Sequence, residues 1–297
     1  MSTDHLDARP REVDDQASPT SRHTPVTLRV AAHSDRGRVR ANNEDRFLVL
    51  RGDRTTTPIS TNIDADELKF VPAQTIWALA VADGMGGHAA GEVASTLALT
   101  LTLQYAQQGS RWYVDIGERE AREIVARVES ILAAVDRDIA KQAQGKSALA
   151  GMGTTLTVAV VRGDRLFVYH IGDSRAYLLR KGHLVRITRD QTVAQQLADS
   201  GLISDGLVAS HSARHLLTQA MGRGDVEVEV HHFPLEHGDR LVLSTDGLTD
   251  GVDDSQIEQV CRENDCEPAC LELIERALAA GGRDNITVVV ADVEIAP

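Results

Sequence analysis

Apolar and polar positions divide the chain into many short strand-like runs and a few long helical ones. Residues 26–32 alternate as a strand, and 47–50 form a second short one. The apolar run over 75–82 reads as a buried strand that ends at Asp83. Two helical patterns follow. Ala90, Val93, Ala94, Leu97 and Leu101 mark the first, and Ile124, Val128, Ile131, Leu132, Val135 and Ile139 the second, at three- and four-residue spacing. Strands are expected over 154–161, 165–170, 176–180, 226–232, 240–244 and 286–293. Shorter helices are expected over 191–200, 216–221, 255–262 and 268–280. Residues 33–46 and 202–214 read as irregular. Residues 51–74 read as a polar excursion between two hairpin strands, and 1–25 as a disordered tail ahead of one domain over 26–297. Helices fall in consecutive pairs instead of singly between strands. That order predicts antiparallel sheets covered by helices, not a parallel sheet of strand–helix–strand units.

Composition narrows the function classes. The chain has 297 residues, 42% of them hydrophobic, so it can bury a sizeable core; only 3% are aromatic, so Val, Leu, Ile and Ala must fill it. The formal net charge of −13 argues against non-specific nucleic-acid binding and against an anionic membrane surface. A phosphorylated substrate would need arginine or metal ions to supply positive charge locally. No apolar run approaches 18 residues, and the first 25 residues hold no apolar segment of the kind a secretory signal needs. The three cysteines all fall within 261–270, which is not a disulfide framework. The expectation is a cytoplasmic protein.

One construction repeats. The 75–82 strand delivers Asp83, followed by Gly84, Gly86 and Gly87. Leu166-Phe167-Val168-Tyr169-His170-Ile171 leads to Gly172-Asp173, Leu241-Val242-Leu243-Ser244-Thr245 leads to Asp246-Gly247, and Arg283-Asp284-Asn285 directly precedes the apolar run from Ile286. A single strand-end Asp is an ordinary turn former. Several at the mouths of buried strands would repel one another, since like charges disfavour ionisation. A divalent cation removes that cost, and oxygen-only ligands select hard ions, Mg²⁺ or Mn²⁺.

At this point the chain resembles a known family. The run Ser34-Asp35-Arg36-Gly37-Arg38-Val39-Arg40-Ala41-Asn42-Asn43-Glu44-Asp45 is similar to its first motif, and Val81-Ala82-Asp83-Gly84-Met85-Gly86-Gly87-His88 to its second. Gly151-Met152-Gly153-Thr154-Thr155, His170-Ile171-Gly172-Asp173-Ser174-Arg175, Ser244-Thr245-Asp246-Gly247 and Arg283-Asp284-Asn285-Ile286-Thr287 follow in the family's order. The chain thus resembles the bacterial branch of the metal-dependent serine/threonine protein phosphatases, type 2C, over about 28–293. The resemblance implies an α+β fold, a four-layer αββα sandwich of two antiparallel β-sheets flanked by helix pairs, with a dinuclear metal site at one edge. It implies two Mn²⁺ or Mg²⁺ ions and a third, weaker one. Asp83 would bridge two ions, the Gly84 carbonyl would ligate one, Asp246 and Asp284 would complete the first, and Asp45 would reach the second through water. Asp173 with Asp246 would hold the third, and Arg40 would bind the phosphate. The implied reaction is direct attack of a metal-bridging hydroxide on phosphoserine or phosphothreonine in proteins, opposing a serine/threonine kinase.

Rival signals fare worse. Cys270 to Arg276 matches Cys-x5-Arg, but the segment has no glycine, has a helical period, and carries Glu272 and Glu275, which would repel phosphate. Cys266 and Cys270 read as one helix face. His211 and His215 are i, i+4 neighbours without the zincin glutamate between them, so zinc is not expected. They fall where the resemblance implies a mobile flap that selects substrate, with Ser212 in the place of a frequent proline. Some members put a histidine acid directly after the Asp-Gly; here Met85 stands there, and the leaving-group acid is unassigned among metal-held water, His88 and none. A pseudophosphatase would call for degraded ligand positions, and none is degraded. Small phosphate esters are the remaining alternative substrate class.

Overall fold

A computed structural model of the chain describes residues 26–54, 74–86, 90–108 and 118–296. The expected tail over 1–25, most of the expected excursion and His88 lie outside the described residues. In chain order the elements are β1 (Val26–Asp35), β2 (Arg46–Arg54), β3 (Gln74–Ala82), β4 (Gly84–Met85), α1 (Ala90–Gln108), α2 (Glu118–Ala143), β5 (Gly153–Thr154), β6 (Leu156–Arg162), β7 (Arg165–Ile171), β8 (Arg175–Arg180), β9 (His183–Arg186), α3 (Val193–Asp199), β10 (Glu229–Pro234), β11 (Arg240–Ser244), α4 (Asp246–Thr249), α5 (Asp254–Glu263), α6 (Cys266–Ala279) and β12 (Ile286–Ile295).

Two antiparallel five-stranded sheets stack face to face. One has the order β1-β12-β11-β8-β9 and the other β10-β7-β6-β3-β2. Alternate positions of the strands separate three cores, because successive side chains point to opposite faces. Leu79, Val81, Val168, Leu243 and Val289 fill the space between the sheets. Val242, Val288 and Val290 face outward onto Ile257, Val260 and Leu273 of α5 and α6. Ala80, Val158 and Tyr169 face the other way, onto Ala94, Ala98, Leu132 and Val135 of α1 and α2. The expected four-layer αββα sandwich is what the chain builds.

Register brings particular strand ends together. In one sheet Asp35 at the end of β1 lies opposite Ile286 at the start of β12, and Ser244 at the end of β11 lies opposite Val288 and Arg175. In the other, Ala82 at the end of β3 lies opposite Arg46, and Ile171 at the end of β7 lies opposite Leu156. Antiparallel pairing alternates starts and finishes, so loops from opposite ends of the sequence emerge at the same place.

Several elements differ from the sequence expectation. Residues 51–54 are not loop: they continue β2 and pair with 74–77 of β3. The helix expected over 216–221 does not form. Leu217 and Met221 make single antiparallel bridges to Thr192 and Thr154, and Thr218 N–H donates to the Gln191 carbonyl. Those bonds take the groups a helical ladder would need. The strand expected over 226–232 begins only at Glu229, because Val226 N–H donates instead to Asp136 Oδ2 (3.3 Å). Cys266 and Cys270 do share a helix face: their thiols donate to the β1 carbonyls of Arg29 (3.2 Å) and Ala31 (3.4 Å). Burial pushes both thiols up to about 12, and Arg276 is paired with Glu272. No helix of the described residues is long and apolar enough to cross a membrane.

Asp136 of α2 holds the segment after α3 in place. Its buried carboxylate accepts from Gly222 N–H (2.6 Å), Arg223 N–H (3.0 Å) and Val226 N–H (3.3 Å). Asp136→Ala strands these donors. The expected loss is about 3 kcal/mol, at the upper end of the cost of unsatisfied buried groups, read as a lowered midpoint in urea denaturation.

Candidate metal centre

The centre is assembled from backbone clamps before any side chain enters it. Asp83 leaves β3 with its N–H donating to Thr155 Oγ1 (2.9 Å) and its carbonyl accepting from Thr155 N–H (2.9 Å) and Thr154 Oγ1 (2.8 Å). The short β4–β5 pair, Gly84 opposite Thr154 and Met85 opposite Gly153, then turns the chain into α1. A Cβ at Gly84 would sit 2.1 Å from the Gly91 carbonyl oxygen, so only glycine lets the first turn of α1 come this close. Gly172, at φ +107°, makes the corresponding bend after β7, packed against Thr155, whose Oγ1 shares a hydrogen bond with Ser174 Oγ (2.7 Å) just past Asp173.

The other acids arrive from the facing sheet and from the first loop. Asp246 follows β11 and opens α4. Asp284 precedes β12, and its Oδ2 accepts from Arg40 Nη2 at 2.5 Å. The loop that carries Arg40 is held by Asn285. The Asn285 Nδ2 donates to the carbonyls of Arg36 (2.8 Å) and Asn42 (2.9 Å), and its Oδ1 accepts from Glu44 N–H (2.7 Å). Asp45 is 2% exposed, and its Oδ2 accepts from Thr245 Oγ1 (2.8 Å) and Thr287 Oγ1 (2.7 Å). Its Oδ1 is buried with no partner, and so is Oδ1 of Asp246.

Arg40, Asp83, Gly84, Asp173, Asp246 and Asp284 all line one cleft of about 480 Å³, with Met85, Arg214, His215 and Arg283. Asp45 sits behind it, in electrostatic reach of Asp83. The expected metal-ligating and phosphate-binding residues are therefore brought together, six of them lining the cleft and Asp45 behind it. His215 was missed. Its Nδ1 is 3.5 Å from Asp246 Oδ2 and its Nε2 3.7 Å from Asp250 Oδ2. Its spacing from His211 reads only as a zinc motif; the two histidines lie on a non-helical loop, and His211 Nδ1 accepts from Ala213 N–H (3.1 Å). Asn285, Thr155, Thr245 and Thr287 stood inside or beside quoted motifs, but no sequence signal gave them a clamping role.

The electrostatics are those of acids that resist ionising together. Burial, then the charges of Asp45, Asp246 and Asp173, raise Asp83 well above the ordinary carboxylate range. Burial, then Asp246, does the same to Asp173. Burial lifts Asp45 to about 7 even though its two threonine hydrogen bonds oppose the rise. Asp246 goes the other way: burial works against its charge, but His215, Asp83 and Arg40 outweigh it. Two orphaned carboxylate oxygens and mutually repelling acids fit a divalent cation, which satisfies both through hard oxygen donors.

A sequence profile described as Protein phosphatase 2C matches residues 60–284. The chain belongs to that family. Among protein phosphatase 2C relatives, the Serine/threonine protein phosphatase PstP of Mycobacterium tuberculosis is 40% identical over 268 residues, covering 90% of this chain. The chain spans 45% of that relative's length. The Serine/threonine phosphatase stp of Listeria monocytogenes is 31% identical over 261 residues, covering 87% of this chain and 93% of the relative. Among solved structures, the catalytic domain of PstP in complex with two manganese ions superposes with a TM-score of 0.70 at 38% identity, over 91% of this chain and all of that one.

The raised Asp45 carboxyl makes stability depend on pH. Its pKa is about 7 in the fold against an ordinary 3.8, so the fold binds a proton the unfolded chain has released. The stability this group contributes is complete below pH 3.8 and is lost as pH rises to about 7, by at most about 1.4 kcal/mol per pH unit. In EDTA, the urea midpoint is expected to fall between pH 5 and pH 7.5, and Asp45→Asn to flatten that fall.

Proposed function

We propose that the chain is a Mg²⁺- or Mn²⁺-dependent phosphatase of phosphoserine and phosphothreonine in proteins, with 26–297 as its catalytic domain. The observation that carries this reading is the convergence of Asp83, Asp173, Asp246, Asp284 and Arg40 on one cleft, backed by two buried carboxylate oxygens without partners. Family membership and the named phosphatase activity of the relatives support it. In this reading Asp83, the Gly84 carbonyl, Asp246 and Asp284 would hold the first ion, Asp83 and, through water, Asp45 the second, and Asp173 with Asp246 the third. Bound there, the ions acidify water and neutralise charge on the phosphoryl group.

The chain's own residues do the rest. Arg40 is half exposed, and its pair with Asp284 engages Nη2. Its planar fork suits two phosphoryl oxygens, which a lysine would grip less well. Arg214 and Arg283 at the same cleft add positive charge in a chain of net charge −13. Asn285 keeps the Arg40 loop against Asp284, so substrate binding need not order it. The biological setting of the reading is the cytoplasm, where the enzyme reverses the work of a serine/threonine kinase.

Manganese-stimulated hydrolysis of p-nitrophenyl phosphate and of phosphothreonine peptides is expected. Asp83→Asn and Asp246→Asn should each abolish it, and Arg40→Ala should raise KM on the order of tenfold, the loss of one charge-assisted interaction. Full activity in excess EDTA would sink the proposal. A higher kcat/KM on metabolite phosphate esters than on phosphopeptides would move the substrate class to small esters.

A further inference from the structure

The loop between α3 and β10 brings an imidazole to a cleft whose other candidate donors are all oxygens. His215 Nδ1 faces Asp246 Oδ2 at 3.5 Å, and one donor atom each from Asp173, His215 and Asp246 lie within 4.8 Å of one another. Three atoms no more than 4.8 Å apart lie within about 2.8 Å of a common centre, against metal–ligand bonds of about 2.1 Å. Gathering the three therefore takes a shift of less than about an ångström. The 3.5 Å gap is also longer than a good N–H···O hydrogen bond of about 2.9 Å. The imidazole is near the carboxylate without being committed to it.

Two further observations point to a cation between them. Asp173 is 8% exposed, and no described side chain donates a hydrogen bond to its carboxylate, while Asp246 Oδ1 is buried without a partner. Behind the ring, Nε2 faces Asp250 Oδ2 at 3.7 Å. Closed to hydrogen-bond distance, a carboxylate on the far nitrogen would be the arrangement that fixes the tautomer and orientation of a metal-bound histidine.

We infer that His215 supplies a nitrogen ligand, beside Asp173 and Asp246, to the third divalent cation, so that binding this ion pins the loop over the cleft. The inference rests on the metal-dependent reading above. It gives the third site a different character from the other two: an imidazole beside two carboxylates favours Mn²⁺ over Mg²⁺ more than an all-oxygen shell does. It also gives His215 a role in loop closure instead of in proton transfer.

The test uses the full chain with Mn²⁺ alone, by calorimetric titration and by pulsed electron paramagnetic resonance for ¹⁴N coupling. Wild type in excess Mn²⁺ is expected to show ¹⁴N modulation. His215→Ala should abolish it and weaken the weakest Mn²⁺ binding event on the order of tenfold or more, with the tighter events kept. Bound Mn²⁺ without ¹⁴N modulation, or modulation and affinity unchanged in His215→Ala, overturns the inference while leaving the phosphatase reading standing. Failure of the wild type to bind Mn²⁺ overturns both.

Discussion

The structure depends on tolerating a concentration of negative charge in a place water cannot freely screen. Asp45, Asp83, Asp173 and Asp246 repel one another, and burial adds to the cost of each charge. Left to itself the chain relieves this by holding protons on some acids and by setting Arg40 and His215 against others. None of these devices satisfies Oδ1 of Asp45 or Oδ1 of Asp246. An unsatisfied buried polar atom is costly enough to demand an explanation. Here that explanation is also the chemistry, because the same oxygens that lack partners suit a hard divalent ion.

Such a cluster survives only if its members cannot move apart. The sandwich provides this with neutral hydroxyls and amides in place of countercharges. Thr154 and Thr155 clamp the backbone of Asp83, Thr245 and Thr287 grip one oxygen of Asp45, and Asn285 ties the Arg40 loop to the start of β12. Threonines and an asparagine orient the acids without cancelling their charge. A partly buried countercharge nearby, Arg175, is paired with Asp190 by two hydrogen bonds of 2.9 and 2.6 Å. It supports the turn carrying Asp173 while leaving that carboxylate open.

Much of this was legible in the chain because the fold repeats one device. A buried strand needs an apolar run, and an acid at its end interrupts the run, so Asp83, Asp173 and Asp246 stand out by contrast alone. Long helices were legible through their period, as in Val128, Leu132, Val135 and Ile139. Failures cluster where partners distant in sequence decide conformation. Residues 216–221 carry apolar positions compatible with a helix, yet their backbone groups bond to Gln191, Thr192 and Thr154. Residues 51–54 look like polar loop, yet pairing with β3 makes them strand, since an edge strand such as β2 can present polar side chains to solvent.

By itself the sequence determined which side chains are available for chemistry, that they are carboxylates at strand ends and an arginine in the first loop, and that the strands belong to antiparallel sheets. Pattern is local, and local pattern suffices for those statements. Only the tertiary structure decided that β3 and β7 of one sheet and β11 and β12 of the other bring their acids to one cleft. It alone placed His215 beside Asp246 and left two carboxylate oxygens without partners. Register across two stacked sheets and hydrogen bonds at the site spanning as many as 249 residues set those facts, and no window of sequence contains both ends of such a bond.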